Sequence, residues 1–352
     1  MKTILNVTHE MTLGGVEQFV MNVYRHLNND YRIIFLCYKE NQYYEKEIRE
    51  TNSKLYFVPP IRKTGVLKFI KNIIKIIKKE KVDIIHIHTF YNSLFPLIAA
   101  LFTHVPTRIV HSHSNWQTKS IIKKTYNFIC KIGINILASD KLACSKEAGK
   151  NLFFKNFEII PNGIETEKFI YNEKSRNIIR KKYNISEKDI LIGHVGRLEP
   201  VKNHLFILEL LPKLLEYNNN YKIMFIGAGQ ELENIKELAK KNNIEDKIVL
   251  VGNQIEAYMF YNAFDLFLFP SIQEGFGMTL IEAQINGLPI IASNFVPKET
   301  NESGSIIFLD LEKNKWLETI IGIKIRRINS NYYKNTKYNI KNTVKILKKI
   351  YK

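Results

Sequence analysis

Glu274-Gly275-Phe276-Gly277-Met278-Thr279-Leu280-Ile281-Glu282 is the stretch around which this chain is organised. It follows an apolar run, residues 265–270, that reads as a buried parallel strand. A helix is predicted to start near Thr279 and to stop at Gly287, with Pro289 beyond its end. A glycine-containing turn that feeds a helix N-terminus presents backbone N–H groups and a positive dipole end, and both suit phosphate.

Two carboxylates, Glu274 and Glu282, flank this turn. Glu282 also has an interpretation that needs no ligand, because it forms the pattern Thr-x-x-Glu with Thr279. That pattern is typical of a capping box at a helix N-terminus. Glu274 has no capping role in the same helix. The pattern by itself leaves both interpretations of Glu282 open.

The length of 352 residues gives room for two ordinary domains, and the composition is that of a globular protein. The cysteines lie far apart, without the spacing of metal ligands, and we expect reduced core residues of a cytosolic protein at Cys37, Cys130 and Cys144. The N-terminal residues read directly as a first strand, and their apolar run is too short for a secretory signal. No uncharged apolar run reaches about 18 residues, so no membrane span is expected.

The net charge of +18 is unevenly distributed along the chain. Residues 1–160 hold 24 basic and 12 acidic side chains, residues 161–312 hold 16 and 21, and residues 313–352 hold 12 and 1. Two basic ends of this kind indicate attraction to an anionic surface, or merely a lysine-rich composition. Composition leaves both explanations open.

Apolar strands alternate with helical segments along the whole chain, with seven strand-like runs between Thr3 and Ile160 and six between Leu191 and Phe308. This alternation predicts an α/β protein with parallel sheets, in which each half forms its own doubly wound domain. The turn signal Pro161-Asn162-Gly163 marks the junction. We expect an N-terminal domain at residues 1–162, a second domain at residues 163–330 and a terminal helix within residues 331–352.

Glycines and cations follow several of the predicted strands. Gly14-Gly15 is either a plain tight turn or a place where the backbone approaches a charged group. Arg197 and Lys202 lie beside a helix start, where cations are disfavoured unless an anion binds. Their guanidinium and ammonium groups both suit phosphate. No Asp-x-Asp triplet occurs in the sequence, so no carboxylate pair for a metal-bound diphosphate is visible.

Two His-x-His pairs end predicted strands, His86 with His88 and His111 with His113. Alternate residues of a strand share one face, so a zinc site is conceivable, although no carboxylate or cysteine joins them at a useful spacing. The other interpretations are histidines that are hydrogen-bonded at strand ends, or one histidine that lines a cleft and contacts a sugar hydroxyl or a proton.

Taken in order, these motifs resemble the retaining glycosyltransferases of the GT-B fold, family 4, over nearly the whole chain. The matching stretches are Gly14-Gly15, Asp83–His88, Ile160–Ile164, Gly196–Asn203 and Glu274–Glu282. The resemblance implies two Rossmann-like domains that face each other across a cleft, with a C-terminal helix that crosses back to the N-terminal, acceptor-binding domain. Two positions depart from the family's pattern: Glu165, where Asp is usual, and Ala228, where an acidic residue is usual.

The resemblance also implies a role for each matched residue. His113, or alternatively His111, corresponds to the family's active-site histidine, and Glu274 would contact the donor sugar. Glu282 would hold the nucleotide ribose. The residues that would bind the donor diphosphate are Gly14, Gly15, Arg197, Lys202, Gly277, Met278, Thr279 and Leu280.

The implied reaction moves a sugar, with retained configuration, from a nucleotide sugar to a glycan or lipid-linked acceptor in capsule or exopolysaccharide assembly. A UDP-linked donor is favoured, and no metal, other cofactor or nucleic-acid partner is expected. The alternatives are a soluble transferase that acts on a small-molecule or protein acceptor, and an epimerase or phosphorylase of the same fold.

The uneven charge adds an expectation about membranes. If the terminal helix returns to the N-terminal domain, the two basic ends lie together and can dock on the anionic cytoplasmic face of the cell membrane. The segments Val66–Lys81 and Trp116–Lys131 would contribute, unless the first merely packs its apolar stripe on the sheet.

Overall fold

The structure, a computed structural model, describes residues 1–40, 43–51, 53–113, 120–328 and 336–352. It divides the chain into two compact units, one formed by Met1–Ile164 with Lys337–Lys352 and the other by Glu165–Thr336. Each unit is built on one parallel sheet with helices between the strands, which confirms the predicted α/β class. None of the helices in the described ranges combines the length and the hydropathy of a membrane span.

The first unit contains a seven-stranded sheet of order β3-β2-β1-β4-β5-β6-β7. Its strands are β1 (Thr3–Val7), β2 (Arg32–Cys37), β3 (Leu55–Phe57), β4 (Ile84–Ile87), β5 (Thr107–Ser112), β6 (Asp140–Ala143) and β7 (Glu158–Ile159). All pairings in this sheet are parallel. The central strands are apolar on both sides because helices cover both faces of the sheet.

Successive strand residues of the first unit enter two different hydrophobic cores. Leu5 and Ile85 pack on one face, whereas Ile4 and Ile84 pack on the other. The first of these faces is covered by α4 (Val66–Glu80), α5 (Leu94–Phe102) and α6 (Ile121–Leu137), and the second by α1 (Gly15–Leu27) and α15 (Ile340–Ile350). The shorter helices are α2 (Glu45–Glu50), α3 (Ile61–Thr64) and α7 (Lys146–Leu152).

The second unit contains a six-stranded parallel sheet of order β10-β9-β8-β11-β12-β13. Its strands are β8 (Ile190–Val195), β9 (Tyr221–Ile226), β10 (Ile248–Gly252), β11 (Leu266–Phe269), β12 (Ile290–Ser293) and β13 (Ile306–Leu309). Its helices are α8 (Thr166–Phe169), α9 (Glu173–Lys182), α10 (His204–Tyr217), α11 (Leu232–Lys241), α12 (Ala257–Tyr261), α13 (Met278–Ile285) and α14 (Lys313–Gly322).

Both sheets reverse their strand order beside the first strand of the unit, between β1 and β4 and between β8 and β11. Ligands of doubly wound sheets bind outside the carboxyl ends of the strands at such a switch point. Gly14 and His88 follow β1 and β4, while Arg197 and Glu274 follow β8 and β11. The topology therefore brings the sequence-predicted residues to the binding edge of each sheet.

The last helix, α15, packs on the first unit, where Val344, Leu347 and Tyr351 join the core around α1. The entry to this helix is tied to the domain junction by a bridge between Ile164 and Asn339. A side chain at Gly163 would begin 2.8 Å from the Cα of Ile340, so the glycine of the Pro-Asn-Gly turn allows this close approach.

Candidate active site

In the second unit, the loop after β8 and the loop after β11 meet through an ion pair between Lys202 and Glu274. The Lys202 and Glu274 side chains are 16% and 10% exposed. The Ser271 hydroxyl donates to the same Glu274 oxygen at 2.9 Å, and the Lys202 ammonium lies 5.1 Å from the centre of the Phe269 ring. A carboxylate held by two donors and largely shielded from water is a rigid, oriented acceptor.

Arg197 is not part of this ion pair. Its guanidinium bonds Glu199 at 2.6 Å, and its side chain is 63% exposed. Arg197 therefore lies at the carboxyl ends of the strands, as predicted, but its guanidinium contacts Glu199 of the same loop. A guanidinium so exposed can exchange that weak surface partner for a phosphate at small cost.

The helix after Glu274 begins at Met278 and is preceded by Gly277, which has φ 89°. Glycine is favoured in this left-handed conformation. The helix therefore starts one residue earlier than the sequence predicted. The Leu280 N–H donates to the Gly277 carbonyl at 3.0 Å. Of the predicted phosphate-binding amides, that of Leu280 is thus already engaged within the turn.

The capping-box interpretation of Glu282 is wrong. The N-cap is Gly277, so Thr279 lies inside the first turn. Within the described part of the chain, no side chain caps this helix and the buried Thr279 hydroxyl has no hydrogen-bond partner. Glu282 is 4% exposed and accepts a hydrogen bond from the Tyr261 hydroxyl at 2.5 Å. Burial raises the pKa of Glu282 to about 7, although the Tyr261 bond opposes the shift.

Two histidines behind Lys202 had not been selected from the sequence. His194 on β8 and His204 at the start of α10 are buried, with ring centres 4.5 Å apart. Burial lowers the pKa of His194 to about 4 and that of His204 to about 2. Both rings are therefore neutral at neutral pH and add no charge that competes with Lys202 for an anion.

The two glycines that follow β1 in the first unit have different surroundings. A side chain added at Gly14 would meet the Glu17 carboxylate, whereas one added at Gly15 would meet no described residue within 4 Å. Gly15 therefore faces open space at the start of α1. The openness agrees with a backbone that a ligand can approach.

The four histidines of the two His-x-His pairs lie on one face of the first sheet. Ile87 of β4 pairs with Val110 of β5, so His88 and His111, the next residues, lie side by side. His86 and His113 share their face because they are two positions away along the chain. Phe19 of α1 packs over the cluster, with its ring centre 5.1 Å from those of His111 and His113. His86 bonds the hydroxyl of Tyr351, the residue that follows α15, at 2.7 Å. The terminal helix thus closes this part of the core.

His113 is the more accessible of the two candidate active-site histidines. His111 has 0% exposure, and among the described residues its ring nitrogens make no hydrogen bond of normal geometry. His113 is half-buried, and its Nδ1 lies 3.1 Å from the Asn162 Oδ1 while its Nε2 lies 2.9 Å from the His88 Nδ1. Because an amide oxygen only accepts, Nδ1 of His113 carries the proton and Nε2 accepts from His88.

Burial lowers the pKa of His113 to about 4, although the Asn162 bond opposes the shift. It lowers the pKa of His86 to about 3, and those of His88 and His111 well below the ordinary range. His113 is consequently a neutral hydrogen-bonding group at neutral pH. In the described part of the chain, nitrogens of His86, His88 and His111 lie within 4.8 Å of one another, a spacing that permits a shared metal ion.

Family models match both halves of the chain. The model described as glycosyl transferases group 1 matches residues 175–306, and the model for glycosyltransferase family 4 matches residues 13–168. These matches place the Lys202–Glu274 pair and the histidine cluster in two separate family regions.

Similar proteins of known name span nearly the same length. EpsF of Bacillus subtilis, named as a glycosyltransferase, is 31% identical over 91% of this chain and 87% of its own. A galactosyltransferase of Escherichia coli, named for UDP-Gal and α-D-GlcNAc-diphosphoundecaprenol, is 26% identical over 96% of this chain and 92% of its own. CapH of Staphylococcus aureus, named for capsular polysaccharide biosynthesis, is 26% identical over 99% of this chain and 98% of its own.

Solved structures agree on the fold. HepE of Anabaena, crystallised with UDP and glucose, superposes with a TM-score of 0.82 at 16% identity over 99% of both chains. Sucrose-phosphate synthase of Thermosynechococcus elongatus superposes with a TM-score of 0.76 at 15% identity, over 100% of this chain and 98% of the other. At this identity the likeness concerns the two-domain architecture alone.

Proposed function

Because the chain belongs to the glycosyltransferases of group 1 and family 4 and acts in surface polysaccharide synthesis, we propose that it transfers a sugar from a UDP-linked donor to a lipid-linked glycan with retained configuration. The name of the Escherichia coli relative, which gives both a UDP-sugar and a diphosphoundecaprenol acceptor, supports the two substrate classes.

The observation that carries the proposal is the Lys202–Glu274 pair at the switch point of the second sheet. In the proposed reaction, Lys202 and Arg197 offset the negative charge that develops on the departing diphosphate. The first turn of α13 adds its dipole end to the same phosphates. These groups of the chain supply the positive charge that a bound metal supplies in other transferases.

Glu274 and Glu282 have different proposed tasks. The oriented Glu274 carboxylate accepts hydroxyl groups of the donor sugar, and its negative charge stabilises the positive charge that develops on the ring. Glu282, held by Tyr261, accepts the ribose hydroxyls when it is ionised. The pKa of His113 is lowered to about 4, so the residue is neutral and does not act as an acid. Its Nε2 can exchange the bond from His88 for one from a sugar hydroxyl.

The proposal also places the enzyme on the cytoplasmic face of a membrane. Six exposed apolar residues of α6 form a stripe within an arc of about 120°, at roughly 100° per residue. We call this set the α6 stripe: Ile121, Ile122, Phe128, Ile129, Ile132 and Ile136, of which Ile121, Ile122 and Ile136 are 79%, 83% and 74% exposed. An apolar helix face of this kind, interrupted within its arc by Thr125, suits the boundary between lipid headgroups and acyl chains.

The neighbouring helices give this surface positive charge. On α4, which packs against α5, the lysines at positions 68, 71, 75, 78 and 79 are exposed, while its apolar stripe faces the sheet. On α5, Phe102 is 68% exposed. Of the segment Trp116–Lys131, Trp116 and Lys119 lie outside the described residues. Cys37, Cys130 and Cys144 are buried, as expected of core residues.

Titration with UDP tests the donor site. Lys202→Met should weaken UDP binding roughly ten- to hundredfold, the size of a lost charge-assisted hydrogen bond. Lys202→Arg should retain most of the affinity because it keeps the charge.

Lys236→Met is the matched control, because Lys236 pairs with Glu233 on the surface of α11. Calorimetric titration measures the affinities, and melting curves show whether each variant is folded. Equal UDP affinity of wild type and Lys202→Met, or no binding of any nucleotide by the wild type, would contradict the proposal.

A further inference from the structure

A cavity of about 800 Å³ lies within the first unit, at the carboxyl ends of three of its strands. His9 and Glu10 line it after β1, Tyr38 and Lys39 after β2, and Thr89–Asn92 after β4. Its size falls within the range of roughly 300–1,000 Å³ that is usual for small-ligand pockets. Neither the matched motifs nor the donor site of the second unit uses these residues.

The cavity wall is aromatic, and part of it is strained. Tyr38, Phe69, Phe90, Tyr91 and Tyr126 all line the cavity. Phe90 has φ 54°, a left-handed conformation that a bulky residue rarely adopts. Such strain persists where the surroundings impose it and is concentrated at ligand-binding sites. Aromatic faces of this kind suit the apolar face of a sugar ring.

One polar group in the wall is poorly satisfied. The Tyr38 side chain is 5% exposed, and among the described residues its hydroxyl makes no hydrogen bond of normal geometry and has only a weak contact with the Thr89 side chain. A buried hydroxyl of this kind is costly unless a ligand or water completes it. Because Tyr38 lines the cavity, a ligand in the cavity is positioned to accept from it.

The charge of the wall is positive. Lys39 pairs with Glu10 at 2.5 Å, so these two residues largely compensate each other. Arg62 on α3 and Lys123 on α6 also line the cavity, and neither side chain has an ion-pair or hydrogen-bond partner among the described residues. Two uncompensated cations above an aromatic wall favour a ligand that carries phosphate.

Helix α6 separates this cavity from the α6 stripe. Lys123, Tyr126 and Asn127 face the cavity, and the Tyr126 hydroxyl donates to Asn92 at 2.9 Å, which ties the helix to the loop after β4. The stripe occupies the opposite face of the same helix. A ligand with a phosphate head and an apolar tail can therefore place its head in the cavity while its tail remains in the lipid beneath α6.

We propose that this cavity binds the phosphate-bearing head of a lipid-linked sugar, with Arg62 and Lys123 on the phosphates and the Tyr38 hydroxyl on the head. This inference rests on the proposed function, since it identifies the residues that recognise the acceptor. Free phosphate has the same charge chemistry as the lipid head, so the test separates the two.

The test titrates the full-length protein with three probes: farnesyl diphosphate, farnesol and inorganic pyrophosphate. Farnesyl diphosphate should bind at least about tenfold more tightly than either of the others, because it alone has both the charge and the tail. Arg62→Gln and Lys123→Gln should each weaken it about tenfold. Lys63→Gln and Lys124→Gln are the matched controls, because both lysines are exposed neighbours that do not line the cavity.

UDP is titrated in parallel into the wild type and the four variants, and it should bind all five proteins with the same affinity. Farnesyl diphosphate that binds no better than farnesol, or that binds the Arg62→Gln and Lys123→Gln variants as it binds wild type, would overturn the inference. Pyrophosphate that binds as tightly as farnesyl diphosphate would overturn its lipid part. If UDP fails to bind while farnesyl diphosphate binds, the proposed function fails and the cavity assignment stands.

Discussion

Lys202 and Glu274 are 72 positions apart in sequence, and their side chains form one ion pair because β8 and β11 are neighbours in the sheet. The sequence indicated each residue separately, one as a cation beside a helix start and the other as a carboxylate before a glycine turn. Their contact could not be read from spacing, since it depends on the strand order. The switch-point rule for doubly wound sheets supplies the missing step.

Glu282 gives a prediction at the residue scale. Its folded pKa of about 7 lies above the ordinary value of 4.5, so the native state binds the proton more tightly than the unfolded state. Its stabilising contribution is therefore complete at pH values below 4.5 and is lost as the pH rises through 7. Between pH 5.5 and 8 the loss should be about 2 kcal/mol.

Urea unfolding of wild type and Glu282→Gln at both pH values measures this contribution. The difference between the two proteins cancels the opposite contribution of the buried histidines, whose pKa values are lowered. The glutamine variant should lose less stability toward pH 8 than the wild type. Parallel pH profiles would show that Glu282 is ionised throughout this range.

Some residues of the site carry no sequence signal. Tyr261 bonds Glu282 from a different helix, and nothing in the spacing of 21 residues indicates this contact. His194 lies within a predicted strand, and its contact with His204 depends on where α10 packs. The capping-box error has a physical cause of the same kind, because the left-handed Gly277 starts α13 before Thr279 is reached.

At the scale of secondary structure, the alternation of apolar and helical segments predicted most of the fold. All thirteen predicted strands are present, because buried parallel strands are short, continuous apolar runs. The helices were harder to interpret, since amphipathic periodicity identifies an apolar face but not what covers it. In α4 that face packs on the sheet, whereas the α6 stripe is exposed.

The α6 stripe gives a prediction for this helix. Wild-type protein should sediment with vesicles that contain anionic phosphatidylglycerol more than with neutral phosphatidylcholine vesicles, because lysines flank the apolar residues. The triple change Ile122→Glu, Ile129→Glu and Ile136→Glu should weaken vesicle binding at least about tenfold, since it removes apolar area that would be buried in lipid.

Ile178→Glu is the control for this experiment, because Ile178 is 56% exposed on α9 of the other unit. It should leave vesicle binding unchanged. Equal sedimentation of wild type with both vesicle types, or unchanged binding of the triple variant, would show that the α6 stripe does not dock on an anionic membrane.

For the whole molecule, the charge divides with the two units. Residues 1–164 hold 24 basic and 12 acidic side chains, and residues 337–352 add six lysines, so the first unit carries +18. Residues 165–336 hold 22 of each kind and are neutral. The sequence interpretation had the whole C-terminal basic block join the first unit, but residues 313–336 belong to the second.

The central claim is that the Lys202–Glu274 pair forms the donor-sugar site of a glycosyltransferase. Its most direct test is the rate at which labelled hexose passes from UDP-hexose to the lipid fraction of the host's own membranes, compared between wild type and Glu274→Gln. The glutamine keeps the shape and can still accept from Ser271, so the variant should fold and bind UDP within a few-fold of wild type. We expect its transfer rate to fall by about a hundredfold or more, as when one preorganised electrostatic group is removed. Transfer at the wild-type rate by folded Glu274→Gln protein would contradict the claim.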